Sequence, residues 1–375
     1  MRKTLFSILP LLVFLGPAFS RLLLLGGLGL APALPPATAA TESRSLNPAV
    51  ERVRARIAEA RRLLEGQPAD PSDFVTLAVG DSEGDRVQLL RLAKEDFIRK
   101  DAEVSAVSSL GVALKVRVVR PNYVNTAVRV SDSSGHELQP LAVRYPVEKG
   151  GTLTEVAYYT SAHPAVESAD VVGAGGEYIH DKLDAAARRL AEKGERISPG
   201  VVDVAERLCI VEHTDHKRFL TEDSSSIFKE IRAVYALNNG DAYRYSVSTA
   251  GAGGMVQMIP KTYEAIRQQH AAVGLNPDFV EGMRDHSNAL QAMLLYMQDT
   301  WDKLLKSNEV TNALGAGRAT EAELLAAGYN SNPLRLPKYL KSGGEGWRSL
   351  IPEETKMYLR IYSAVEGDVD FKNRA

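Results

Sequence analysis

Residues 248–260 read STAGAGGMVQMIP, with three glycines inside positions 251–254 and one glutamine, Gln257, in the apolar run that follows. Glycine this dense is unfavourable inside a helix or strand, because it loses more backbone freedom on folding than any other residue. An amide among apolar side chains costs free energy unless it is hydrogen-bonded. The stretch therefore predicts a tight turn whose backbone lies close to another group and whose single amide has a partner.

A second informative stretch lies upstream, where PGVVDVAERLCIVEHTD (residues 199–215) predicts a helix over 200–214. The residues of its apolar stripe are Val201, Val204, Ala205, Leu208 and Val211. Glu212 continues this stripe, and a carboxyl group on an apolar face has a raised pKa because burial disfavours its charged form. Glu212 is therefore the candidate proton donor. Taken alone, it is equally consistent with a carboxylate at a helix end that is paired with a nearby base.

Three other residues of this helix have structural interpretations. Asp203 and Glu206 lie away from the apolar stripe and are predicted to be solvated. Cys209 is the only cysteine of the chain, so no internal disulfide can form. Its neighbours on the stripe predict a core position, not a nucleophile.

Four short patterns in the second half of the chain occur in the order in which a known enzyme family has them. They are Ile210-Val211-Glu212, Ser248-x-x-Gly251-Ala252-x-Gly254-x-x-Gln257, Ala327-Gly328-Tyr329-Asn330, and Pro352-Glu353-Glu354-Thr355 with Tyr358. On these motifs, residues 199–366 resemble the soluble lytic transglycosylases, which are related to goose-type lysozymes. The resemblance leaves the amino-terminal half unexplained.

The resemblance implies an all-α, lysozyme-like catalytic region and a peptidoglycan-cleaving activity. The family cleaves the β-1,4 bond between N-acetylmuramic acid and N-acetylglucosamine with one glutamate, here Glu212. That glutamate protonates the glycosidic oxygen and then takes the proton of the C6 hydroxyl, which closes a 1,6-anhydro ring. No cofactor and no metal are implied, and the implied partner is the glycan strand of peptidoglycan.

The resemblance also implies a set of substrate-binding residues: Ser248, Gly251, Gly254, Gln257, Tyr329 and Asn330. Bare glycine backbone lets a polysaccharide approach closely, and Gln257 offers a donor and an acceptor that suit an N-acetyl amide. In the family pattern, Tyr329 would hydrogen-bond the glutamate. From the residues alone, Tyr329 could instead be a core tyrosine and Asn330 a helix C-cap.

The sequence departs from the family pattern near Glu212. His213 stands where the family usually has serine, and Ser248 lies 36 positions after Glu212, a longer gap than is typical. Aspartates in this gap could assist a hydrolytic water, so a lysozyme-type muramidase stays open; the candidates are Asp215, Asp223 and Asp241. A catalytically silent glycan-binding module is a further alternative, and Glu230 is a less favoured rival to Glu212.

Two other patterns contain residues of the kinds found in ligand sites. The run EHTDH, residues 212–216, contains carboxylate and imidazole groups of the kinds that bind zinc, so a metal-dependent hydrolase is a third hypothesis. Polar residues at a helix C-terminus are the favoured interpretation. A second GAGG, at 173–176, is not followed by a Lys-Ser/Thr pair, so no phosphate loop is predicted.

The predicted class is α+β, with a smaller β-rich region before the all-α region. Residues 1–40 are predicted to be a signal peptide or a membrane anchor, and 41–70 a linker with a helix from Pro48 to Leu64. Residues 71–198 form a predicted β-rich accessory domain that ends in a helix from about 178 to 193, with another helix at 86–100. Residues 199–366 follow as the catalytic domain and 367–375 as a tail.

The amino-terminal segment predicts an exported protein, and the charge balance bears on its partners. Loss of residues 1–40 removes three basic residues and no acid, and this changes the formal net charge from −2 to −5. Such a chain is not expected to bind nucleic acid by phosphate neutralisation. We expect a periplasmic or secreted location, with membrane association through the amino-terminal segment if that segment is retained.

Overall fold

The computed structural model describes residues 47–68, 72–81, 86–149, 152–159 and 166–374. The predicted signal peptide or anchor therefore lies outside the described residues. Within these ranges, no helix is both long enough and apolar enough to span a bilayer. Leu46–Ala375 forms one compact unit, with an antiparallel sheet in its first half and helices in its second half. The predicted order, a β-rich half followed by a helical half, is confirmed.

The sheet is antiparallel, in the order β2-β1-β6-β5-β4-β3, with β7 paired to β6. The described strands are β1 (Phe74–Gly80), β2 (Val87–Ala93), β3 (Glu103–Val107), β4 (Ala113–Arg120), β5 (Ala127–Asp132), β6 (Glu137–Lys149) and β7 (Thr152–Tyr159). Strand β4 shows the period-two pattern that predicted it, because Leu114, Val116 and Val118 are buried while Lys115 and Arg117 are exposed.

The predicted helix at 86–100 is wrong. Residues Val87–Ala93 pair with β1 along their whole length, and only Lys94–Phe97 makes a short helix. The run VQLLRLA carries too few residues to distinguish a buried strand from a helical segment by periodicity. Pairing with a neighbouring strand decided the outcome.

The helices predicted at 200–214, 260–273, 286–306, 320–328 and 352–365 are present as α4, α7, α9, α11 and α13. The described helices are α1 (Pro48–Glu65), α2 (Lys94–Phe97), α3 (Ala169–Glu192), α4 (Pro199–Val211), α5 (His216–Thr221), α6 (Ser224–Asn238), α7 (Pro260–Gln269), α8 (Phe279–Arg284), α9 (His286–Leu304), α10 (Asn308–Gly315), α11 (Glu321–Asn330), α12 (Leu336–Gly343) and α13 (Glu353–Asp368). The predicted capping box of Thr320 and Glu323 is also present.

The second GAGG lies inside α3, not in a loop. The helix begins at Ala169, nine residues before the predicted start, and Ser168 caps it. A Cβ built on Gly175 would lie 1.9 Å from the carbonyl oxygen of Arg232 in α6. Glycine at this position therefore permits close contact between the backbones of two helices.

Residues 213–247, which we call the insert, join the helical half to the sheet. They contain α5 and α6, and α6 contributes to a hydrophobic cluster shared with α1, the sheet and α3. Ion pairs connect the same surfaces: Arg120 of β4 with Glu230 of α6, and Arg61 of α1 with Asp241. The long gap before Ser248 is thus structural material that docks the β-rich half.

The prediction that Asp203 and Glu206 of α4 are solvated is wrong for Glu206, which is only 4% exposed. Glu206 contacts His180 of α3 and Arg374 of the carboxyl-terminal segment, and Asp203 accepts from Arg374 at 2.9 Å. Helix α4 packs against α3, α9, α11 and α13, so its polar face is covered as well as its apolar stripe.

Candidate active site

Glu212 lies at the carboxyl end of α4, the most enclosed helix of the second half. Ser198 caps the start of this helix and Pro199 occupies its first turn. The helix ends at Val211, and Glu212 is its C-cap, with its N–H donating to the carbonyl of Leu208 at 3.0 Å. Residues 201–211 are buried apart from Asp203, whereas Glu212 is partly exposed. A buried helix thus presents one carboxyl group at an accessible end.

The carboxyl group of Glu212 has one hydrogen-bond donor among the described side chains. The hydroxyl of Tyr358, on α13, donates to Oε1 of Glu212 at 2.6 Å. Burial raises the pKa of Glu212 to about 8, the Tyr358 hydrogen bond opposes this rise, and the charge of Glu354 adds to it. At neutral pH the group is therefore predominantly protonated.

The partner predicted for Glu212 from the family pattern was wrong. The hydroxyl of Tyr329 donates to the carbonyl of Val256 at 2.6 Å, and Tyr358 is the residue that contacts the acid. Tyr329 packs edge-to-face on Tyr296, with ring centroids 5.7 Å apart. The sequence motif contained Tyr358, but its role depends on how α13 packs beside α4.

The glycine-rich stretch forms the predicted turn. Gly251 and Gly254 have φ values of +79° and +70°, in the left-handed region that favours glycine. The exposed Ser248 closes the turn, because its Oγ accepts from the N–H of Ala252 at 3.0 Å and its carbonyl accepts from the N–H of Gly251 at 2.9 Å. The requirement for glycine at these two positions comes from backbone conformation.

The expectation that both glycines leave space for a polysaccharide holds for only one of them. A Cβ on Gly254 would lie 2.3 Å from the carbonyl oxygen of Met283, so its bare backbone accommodates α8. A Cβ on Gly251 would have only Pro260 Cδ within reach, at 4.0 Å. Protein packing explains Gly254, and Gly251 has open space beside it.

Gln257 is held inside the same turn. Its φ is +46°, and its side-chain nitrogen donates to the carbonyl of Gly254 at 2.9 Å and to Ser246 Oγ at 3.2 Å. Its Oε1 has no donor among the described residues. The side-chain nitrogen of Gln257, which was expected to donate to a ligand, therefore donates within the protein. Its Oε1 is left as an acceptor.

His213 connects Glu212 to the turn. Its Nε2 donates to the carbonyl of Met255 at 3.0 Å, and its ring stacks on Tyr243 with centroids 3.6 Å apart. Burial lowers the pKa of His213 to about 3, so the ring is neutral and, with its proton on Nε2, has an unprotonated Nδ1. Two successive carbonyls are thus bonded by side chains of the helical half, that of Met255 by His213 and that of Val256 by Tyr329.

The residues of the EHTDH run have separate structural roles. His213 bonds Met255, Asp215 caps α5 through the N–H groups of Lys217 and Arg218, and His216 is exposed. In the ranges that the structure describes, no group of three or more His, Cys, Asp or Glu side chains could hold a metal ion.

The other acids considered for catalysis are also engaged. Asp223 caps α6, and Asp241 pairs with Arg61 and Arg244. Burial acts to raise the pKa of Glu230, but two guanidinium groups, those of Arg120 and Arg218, hold it below its ordinary value. A carboxyl group in that setting stays ionised and is unsuited to donate a proton.

Asn330, the last residue of α11, is half-buried beside Tyr329. Ser331 is the C-cap of that helix, so the alternative role predicted for Asn330 is taken by its neighbour. The Asn330 amide has no hydrogen-bond partner among the described residues and is free to bind a ligand.

The turn glycines provide a matched test of this geometry. Gly254→Ala combines a left-handed φ with a backbone clash, so we expect it to lower the free energy of unfolding by about 2–4 kcal/mol. Gly251→Ala meets only the conformational penalty, about 1 kcal/mol. Urea denaturation of both variants measures the difference, and equal stabilities would contradict the contact with Met283.

Comparison of the chain with known protein families, with curated proteins and with solved structures finds no match. The functional assignment therefore depends on the geometry of this site and on the resemblance of its motifs.

Proposed function

We propose that the protein is a peptidoglycan lytic transglycosylase with a lysozyme-like helical region, and that Glu212 is its single general acid and base. The observation that carries the proposal is a partly accessible carboxyl group with a pKa of about 8, oriented by Tyr358 and followed by His213, which hydrogen-bonds the glycine-rich stretch at Met255. This arrangement supplies a protonated acid at neutral pH.

The proposed reaction returns the proton that it uses. Tyr358 occupies Oε1 of Glu212, which leaves Oε2 to carry the proton. Glu212 donates that proton to the glycosidic oxygen while the bond from this oxygen to C1 of the muramic acid breaks. The resulting carboxylate takes the proton of the C6 hydroxyl, whose oxygen bonds C1 and closes the 1,6-anhydro ring. Glu212 is again protonated at the end.

The remaining carboxylates support ring closure over hydrolysis. Most glycosidases use two carboxyl groups, one as acid and one as nucleophile or base. Asp215 and Asp223 cap helices, and Asp241 is paired with two arginines. Each of the three already makes a capping or ion-pair contact within the protein, which favours an internal nucleophile, the C6 hydroxyl.

No cofactor is part of this reaction, and the proposed partner is the glycan strand of peptidoglycan. Gly251, the acceptor of Gln257 and the amide of Asn330 are the groups proposed to contact it. Ser248, Gly254 and Tyr329 act on the shape of the turn, because their hydrogen bonds and packing are made within the protein. A periplasmic or secreted location remains a prediction.

Mass spectrometry of the products tests the proposal. Purified sacculi are digested with the full-length protein, and the released muropeptides are separated and weighed. We expect 1,6-anhydro ends, which are lighter than reducing ends by one water. Reducing ends would assign a muramidase, and no release would favour a glycan-binding module.

The activity is expected to fall as the pH rises through about 8. The acid form of Glu212 exists below its pKa and is lost above it, so the rate should decrease about tenfold per pH unit on the alkaline side. Initial rates of glycan release between pH 5 and 10 measure this limb. A limb that persists unchanged in variants of Glu212 would belong to another group.

Tyr358→Phe is expected to slow release by about 10-fold to 100-fold, because the carboxyl group loses its orienting donor. The hydrogen bond lowers the pKa of Glu212, so its removal should move the alkaline limb to higher pH. Tyr362→Phe, one turn further along α13, is the matched control. A rate loss without a shifted pH limb would indicate a structural role for Tyr358 only.

A further inference from the structure

A cleft of about 1200 Å³ lies between the sheet and the insert. One wall comprises the end of β4, the β4–β5 connection and the start of β5. The other wall comprises α5, α6 and the residues before α5, beginning with His213. His213, which lines the cleft, follows Glu212 directly in the chain. The cleft does not form in the helical half alone.

The walls carry two lysines without an ion-pair partner among the described residues, together with the carboxylates of Asp215, which caps α5, and Glu222, which pairs with Arg218. Lys100, on the sheet side, and Lys217, on α5, are exposed and have no ion-pair partner among the described residues. The other basic side chains of the walls are paired with carboxylates: Arg120 and Arg218 with Glu230, and Arg129 with Glu137. Two ammonium groups on opposite walls are therefore available to an anionic ligand.

The rest of the lining suits a peptide. The side-chain amides of Asn122 and Asn125 have no hydrogen-bond partner among the described residues, and both line the cleft. His213, which has an unprotonated Nδ1, and Val119, which is 47% exposed, also line the cleft. An acidic peptide carries amide groups, alkyl side chains and carboxylates. The asparagine amides and the histidine acceptor can bind its amide groups, Val119 can contact its alkyl side chains, and the two ammonium groups can pair with its carboxylates.

We propose that this cleft binds the acidic peptide stem attached to the muramic acid of the strand that Glu212 cleaves; this inference rests on the proposed function. The stem branches from the sugar next to the broken bond, and the cleft is lined by His213, the residue that follows the proposed acid. Ligand sites commonly enclose about 300–1000 Å³, and this cleft is large enough for several residues of an extended peptide.

The test compares two polymers: glycan strands that carry their stems, and the same strands stripped of stems by an amidase. We expect the wild type to cleave stem-bearing strands with a kcat/KM about fivefold to tenfold above that for stripped strands, the size of two exposed ion pairs. In Lys100→Gln/Lys217→Gln this ratio should fall towards one. Lys303→Gln/Lys306→Gln, at exposed positions near the end of α9, removes the same charge elsewhere and should keep the wild-type ratio.

Binding separates failure of the cleft from failure of the proposed function. Co-sedimentation of full-length Glu212→Gln with the two polymers, with and without the two cleft substitutions, measures stem preference without cleavage. Equal use of both polymers by the wild type, or a preference that survives loss of both lysines, overturns the stem site and leaves the cleavage intact. Lysine-dependent binding without any cleavage by the wild type overturns the proposed function and supports the cleft.

Discussion

Replacing Glu212 by glutamine is expected to reduce the rate of glycan release from sacculi by at least about 1000-fold. The amide keeps the volume of the carboxyl group and can still accept from the Tyr358 hydroxyl, but it has no acidic proton to donate. The same residue acts as acid and then as base in the proposed reaction, so both steps are lost. Release of muropeptides at pH 6–7 measures the effect.

The matched control for this substitution is Glu345→Gln, at an exposed position in the second half, which should keep the wild-type rate. A second readout excludes misfolding. The pKa of Glu212 is raised from 4.5 to about 8 in the folded protein, so the native state becomes less stable relative to the unfolded state as pH rises between these values. Glu212→Gln does not lose stability in this way, so its Tm at pH 8 should be no lower than that of the wild type. Equal release by both proteins would remove Glu212 from the mechanism.

Gly175→Ala is expected to lower the free energy of unfolding by about 3 kcal/mol or more. The new Cβ would lie 1.9 Å from the carbonyl oxygen of Arg232 and 2.6 Å from its carbonyl carbon, and backbone atoms cannot move aside as a flexible side chain can. Helices α3 and α6 would have to separate. Because α6 also carries the contacts with the sheet, we expect the cleft to be disturbed as well.

Gly173→Ala is the control in the same helix. A Cβ at Gly173 meets no atom within 4 Å, and alanine is the better helix former, so this variant should be more stable than wild type by about 0.5–1 kcal/mol. Urea denaturation of both variants measures whether each substitution raises or lowers the free energy of unfolding. Two variants of similar stability would mean that α3 and α6 do not approach at Gly175.

The candidate acid was predictable because its signal is local. A proline at its start and an apolar stripe predict helix α4, and Glu212 lies at the end of that stripe. The turn at 251–254 was also predictable from the sequence, because closely spaced glycines favour left-handed backbone conformations. The predicted contacts at the site were wrong. Tyr358, not Tyr329, hydrogen-bonds Glu212, and Gly254 packs against Met283. Each of these contacts joins residues far apart in the chain.

The sequence by itself determined most of the strands and helices, though not the strand at Val87–Ala93, and it determined where the glycine-rich turn lies and that one glutamate continues an apolar stripe. These features follow from side-chain periodicity and backbone preference, which act over a few neighbouring residues. Only the tertiary structure decided that α13 supplies a donor to Glu212, that the insert docks the sheet, and that a cleft lies between them. Those outcomes depend on packing between distant segments, and no local pattern records which surfaces will meet.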